Sequence, residues 1–238
     1  MQVPLRQASH GGCNHPRTGE YQRTMQPDHV EQRDALPPKI YTLHAGLPGG
    51  HLGDGTLTPA QPQCPSCKKQ VSEHIRYSKI AFVIENYAGE DLLCPRGALL
   101  VTEALLRALL ARNITGFAPL KIDISKSEYY VGPDELPTLY YLAILNRRVR
   151  NVPIAYDYGD PCSGCGGYVL AFNPSKMPHM FRSGVEGQLR LEVFRDAWDG
   201  VDIFDFIDHP EFGISEIFRD VLQHFNCPDT TVIEATWR

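Results

Sequence analysis

Leu100-Val-Thr-Glu-Ala-Leu-Leu-Arg-Ala-Leu-Leu-Ala-Arg-Asn113 and Gly213-Ile-Ser-Glu-Ile-Phe-Arg-Asp-Val-Leu-Gln-His-Phe-Asn226 align without gaps at an offset of 113 residues. Apolar side chains at positions 104, 105, 108 and 109 match those at 217, 218, 221 and 222, which is one face of a helix. Thr102 and Ser215 stand where an N-cap hydroxyl can take up a free amide of the first turn. Glu103 and Glu216 follow at the positive end of the helix dipole. Asn113 and Asn226 can adopt the left-handed turn that ends a helix. An extended segment comes after each, Phe117–Ile122 and Thr230–Trp237. The match reads either as two ordinary amphipathic helices or as a duplicated helix-strand unit, and no third copy points to a solenoid.

Outward from these helices the pattern turns to strands. Tyr77–Glu85 alternates Ile80, Phe82 and Ile84 with more polar neighbours, Thr138–Leu145 is an apolar run, and Tyr168–Phe172 is a short one. Helices and strands mix without regular alternation, so the expected class is α+β with a mixed sheet and two helix-strand units, not a doubly wound sheet. Residues 1–36 are rich in Gln, His, Arg, Pro and Gly with little apolar periodicity and read as a disordered tail. Order is expected from Lys39, with 37–238 as a single α+β domain whose last part, 190–238, is acidic.

The composition narrows the function classes. With 42% apolar and 21% charged residues, the 238-residue chain can build a sizeable core, which excludes global disorder. Its 23 basic and 28 acidic residues give a net charge of −5, which argues against a nucleic-acid binder held by phosphate contacts. The longest apolar run, Ala98–Ala111, is broken by Thr102, Glu103 and Arg107 and is too short for a membrane span. The N-terminal stretch lacks the basic start and apolar core of a secretory signal, so a reducing cytoplasm is expected.

In such a compartment the cysteines point to metal. Of seven, four form two C-x-x-C pairs, Cys64/Cys67 and Cys162/Cys165, and Cys13, Cys94 and Cys227 stand alone. Each pair can offer two thiolates from one tight turn, and two turns complete a tetrahedral zinc site. The turns, near 62–70 and 160–168, are separated by 94 residues, so they make either a split zinc ribbon sharing one ion or two separate uses. We read them as one shared structural Zn2+ site. Four thiolates leave no open coordination position, so such a zinc stabilises folding and does not catalyse.

Two catalytic rivals fail on context. Cys64-Pro-Ser-Cys67 has the form of a redox dithiol, but Leu57–Gln63 before it is not an apolar strand. Pro161-Cys162-Ser-Gly-Cys165 matches half of a zinc-deaminase signature, yet the H-x-E matches lie at His29–Glu31, in the tail, and at His209–Glu211, after the cysteines. No G-x-S-x-G, H-E-x-x-H, Walker or Rossmann motif is present, so the chain reads as a non-enzyme. Between Glu192 and Asp229, ten acidic residues face only Arg195 and Arg219. Trp198, Asp199, Asp202, Asp205 and Asp208, with Phe204 and Phe206 interleaved, form either a solvated face or a docking surface for a basic partner.

The two cysteine turns, the LLVTEALLRALL helix, the LEVFRD segment and the terminal ISEIFRDVLQHF helix with its strand occur in the order of the double-CXXCG motif family of myxobacterial-type immunity proteins, which the chain resembles over about residues 39–238. Cys64, Cys67, Cys162, Cys165 and Gly166 carry over, and Lys68 stands where the family has a glycine. The resemblance implies a cytoplasmic, non-enzymatic protein that binds and neutralises a cognate protein toxin. With no catalytic motif of its own, it would act by stoichiometric occlusion. The alternative from another class is a zinc-ribbon nucleic-acid-associated regulatory protein, which basic surface around the knuckles would favour.

Overall fold

Both helices start where their caps place them. Thr102 lies in extended backbone and its Oγ1 accepts the Leu105 amide at 3.4 Å, opening α1 (Glu103–Ala111). Ser215 does the same for the Phe218 amide at 3.3 Å, opening α2 (Glu216–Leu222). Leu105, Leu106 and Leu109 form the buried stripe of α1, and Phe218, Val221 and Leu222 that of α2; the two helices pack together over a common core. After α1, Asn113 takes the expected left-handed turn with φ 55°. Asn226 does not: its amide N–H donates to the Asp91 carboxylate at 2.9 Å and its side chain to the Gly89 carbonyl at 2.8 Å.

The computed structural model describes residues 38–45, 49–59, 63–68, 77–145, 148–152, 156–164, 167–176, 191–207 and 211–238. The expected 1–36 tail, Cys165, Gly166 and Asp208 lie outside them. Pro37–Arg238 forms one compact unit.

A four-stranded and a five-stranded sheet flank the helices. One has the order β4 (Leu92–Leu93), β5 (Leu100–Thr102), β8 (Leu139–Ile144), β6 (Phe117–Lys121), antiparallel throughout. The other runs β13 (Ile203–Phe206), β14 (Phe212–Ser215), β1 (Ile40–His44), β15 (Thr231–Glu234), also antiparallel, with β9 (Arg148–Val149) added in parallel beside β13. Smaller sheets complete the body. These are β2 (Gly50–Leu52), β3 (Ala81–Asn86) and β7 (Asp123–Val131); β10 (Tyr156–Pro161) with β11 (Tyr168–Phe172); and β12 (Glu192–Val193) with β16 (Thr236–Trp237).

This corrects the expected α+β class. The described residues are 44% strand and 15% helix, mostly β in five small sheets, and not a balanced α+β fold built around a split zinc ribbon. The two helices were the segments with clear 3.6-residue periodicity, and they drew the reading towards helix. Strands of two to six residues such as β4, β12 and β16 have no room to show an alternation, and their pairing partners lie far away in the chain. A central core of Leu105, Leu109, Phe218, Leu222, Val101 and Ile214 lies between the helices and the two larger sheets. The opposite face of each sheet has its own core, around Phe82 and Leu139 in one case and Ile40 and Phe204 in the other. Among the described residues no helix is long and apolar enough to cross a membrane.

Candidate metal centre

The first cysteine turn is closed by its own backbone, the Lys68 N–H donating to the Cys64 carbonyl at 2.8 Å. That closure puts Lys68 at φ 58°, a left-handed conformation that a glycine adopts without cost. The second turn leaves the β10–β11 hairpin, with the Cys162 N–H donating to the Gly167 carbonyl at 2.9 Å. Inside it the Gly164 amide approaches the Cys162 Sγ at 3.4 Å, a contact that favours a negatively charged sulfur. A Cβ at Gly164 would come within 2.6 Å of Ser66 Oγ and 3.3 Å of Cys64 Sγ, so the missing side chain is what lets one turn lie against the other.

Three thiols converge. Cys64 Sγ, which is buried, lies 3.8 Å from Cys162 Sγ although the residues are 98 positions apart. The sulfurs of Cys64, Cys67 and Cys162 all lie within 4.8 Å of one another. A disulfide would need about 2.05 Å. A tetrahedron of thiolates about 2.3 Å from a zinc ion has edges of about 3.8 Å, so the spacing fits a shared ion. These three cysteines could hold a metal ion, and the structure brings them together from both pairs; Cys165 lies outside the described residues.

No protein-family model matches the chain. No curated protein is significantly similar to it either. What the centre does has to be read from its own chemistry.

The single cysteines are of a different kind. Burial, with the Asp91 carboxylate as a lesser cause, pushes the Cys227 thiol up to about 12, which keeps it protonated and a poor ligand at neutral pH. Cys94 is partly buried against the central core.

The acidic segment is divided in its use. Asp202 is tied into the fold, accepting the Ser215 hydroxyl at 2.7 Å and the Thr115 amide and hydroxyl at 2.8 Å each. Phe204 and Phe206 are core side chains in edge-to-face contact at 5.4 Å. Trp198 is half-buried, its ring 5.3 Å from that of Trp237 and its Nε1–H donating to the Val201 carbonyl at 2.9 Å. Asp199 is exposed, and Asp205 is half-buried in β13 opposite Phe212. What sequence reasoning missed is the clasp role of Asp202 and of its counterpart Asp91, which takes the Thr102 hydroxyl at 2.6 Å. The signal was there, as Asp91-Leu-Leu and Asp202-Ile-Phe are the same pattern 11 and 13 residues before their caps Thr102 and Ser215.

Proposed function

We propose that the protein is a non-enzymatic immunity protein that binds a cognate, basic protein toxin and occludes it in a one-to-one complex, with a structural zinc ion held by the cysteine turns. The observation that supports this most is the convergence of thiols from both C-x-x-C pairs within 4.8 Å. Zinc suits a thiolate set, and with Cys165 as fourth ligand the ion keeps no position open for a substrate. A centre of that kind holds a scaffold together and leaves the surface to do the work. The resemblance of the cysteine turns and helices to the double-CXXCG immunity proteins supports the toxin as partner. The net charge of −5 supports a basic one.

An interface of ordinary size, about 1,200–2,000 Å², covers the active site of a small toxin domain without any chemistry. The test is a titration of the purified protein into a toxin domain found encoded beside its gene, should the neighbouring gene prove to be a toxin's. Toxin activity should vanish near one equivalent, and protection at far below one equivalent would overturn the reading.

A further inference from the structure

Strand register repeats along the chain. Leu92 pairs with Val101 and Ile203 with Ile214; Val101 then pairs with Tyr140 and Ile214 with Tyr41. Lys121 faces Tyr140 as Glu234 faces Tyr41. Phe82 pairs in parallel with Ile124, and Val193 pairs in parallel with Trp237. Leu52 opposes Phe82 as Asn151 opposes Val193. The offsets are constant in blocks: 99 residues for 40–52, 98 for the cysteine turns, 111 for 81–93 and 113 for 100–124. The two series therefore differ in length chiefly in two connections, the one before β3 and β12 and the one between each hairpin's strands. Buried positions follow the same offsets. Phe82, Leu93 and Leu139 in one outer core correspond to Val193, Phe204 and Ile40 in the other.

We infer that the chain is two copies of one unit, residues 40–124 and 139–237, that have exchanged their first strands, and that the metal centre lies on the two-fold relating them, so that each copy gives one cysteine pair to a single ion. The ion rests on the metal reading above, whereas the duplication rests on register alone. The exchange is reciprocal: β1 of the first copy sits between β14 and β15 of the second, and β8 of the second sits between β5 and β6 of the first.

The clasps are reciprocal too. Asp91 holds Thr102 of its own copy and the Asn226 amide of the other, and Asp202 holds Ser215 of its own copy and the Thr115 amide of the other, two positions beyond Asn113, the equivalent of Asn226. Such mutual contacts are the mark of a two-fold interface. The cysteine turns locate the axis. Cys64 and Cys162 hold equivalent positions and lie 3.8 Å apart, and Ser66 lies against its own equivalent, Gly164. Equivalent residues touch only where the axis passes between them. The 98-residue offset from Cys64 to Cys162 is then the offset of the repeat at that point.

The test uses the full chain with a protease site inserted between Asp134 and Glu135, both exposed in the connection from β7 to β8, cut after folding with zinc sulfate as the only added metal. The halves should co-elute as one species carrying one zinc per pair of halves, since each of the two larger sheets contains a strand of the other half. Halves that part in native buffer, or two zinc ions per pair, would overturn the inference. In the uncut chain loaded with cobalt(II), Cys64→Ser and Cys162→Ser should each remove an equal step of thiolate-to-cobalt absorption. A loss in only one of the two would overturn the shared ion. Failure to neutralise a toxin would leave both readouts unchanged.

Discussion

The Ser215 hydroxyl donates to Asp202 Oδ1 at 2.7 Å and, with its lone pair turned inward, accepts the Phe218 amide at 3.3 Å. The carboxylate thus orients the hydroxyl that caps α2, and its other oxygen reaches the backbone just beyond α1. A negative charge beside a helix start is favourable in itself, and here it also joins two segments 87 residues apart.

Asp202→Ala should therefore destabilise the protein by about 1.5–3 kcal/mol, the range for hydrogen bonds to a charged group. Urea unfolding should show a lower midpoint at unchanged slope. Asp91→Ala should act alike, whereas Glu128→Ala, at an exposed position of β7, should stay within about 0.5 kcal/mol. An Asp202→Ala midpoint equal to that of the parent would contradict the clasp.

Gly164→Ala should push the cysteine turns apart, because the new methyl meets Ser66 Oγ at 2.6 Å. Zinc affinity, read by competition with a chromogenic chelator, should fall by about 10- to 100-fold, as when other outer contacts of a metal site are disturbed. Ser66→Gly in the same chain should restore part of it. An unaltered affinity in the single variant would mean the turns do not need this contact.

Lys68→Gly should tighten the first turn. A non-glycine residue in the left-handed region costs roughly 1–2 kcal/mol, of which glycine's larger unfolded-state entropy returns about half. The zinc-loaded protein should gain about 0.5 kcal/mol in chemical denaturation. A loss would place the lysine side chain in some stabilising role.

Metal removal should act on the whole of residues 37–238, since the ion would join segments nearly a hundred residues apart. Excess chelator should lower the melting temperature in one cooperative transition, and re-added zinc should restore it. Unchanged melting with no zinc in freshly purified protein would remove the metal from the account.

Cys227 gives a prediction in alkali. Its thiol ionises near 9 in the unfolded chain and only near 12 in the fold, so the unfolded state sheds its proton first and stability falls as pH rises from 9 towards 12. Cys227→Ser should flatten that part of the stability profile. Identical slopes in parent and variant would refute the shift.

The sequence disclosed the features that are local. Both caps and the first cysteine pair depend on spacings of two to four residues and stand where their patterns placed them, whereas the helix faces are turned from the expected positions: Ala104 and Ile217 are exposed and Leu106 is buried. The sheets were hidden because Ile40 meets Ser215 and Tyr41 meets Glu234, pairings with no trace in a short window. The repeat showed only in its helices. Elsewhere equivalent positions keep burial and lose identity, as with Phe82 and Val193, or lose even that, as with Leu52 and Asn151. Asp202 was read among a run of acids because its partner Thr115 lies in the other copy.

Strand β1 emerges from the ribosome long before either of its neighbours exists, since β14 begins roughly 170 residues later. At about 5–20 residues per second it waits on the order of 10–30 s with both edges open. During translation on a shared message, the nearest complete β14 belongs to the chain ahead. Neighbouring nascent chains can therefore trade this strand, and linked oligomers are the misassembly to which the exchanged arrangement exposes the protein.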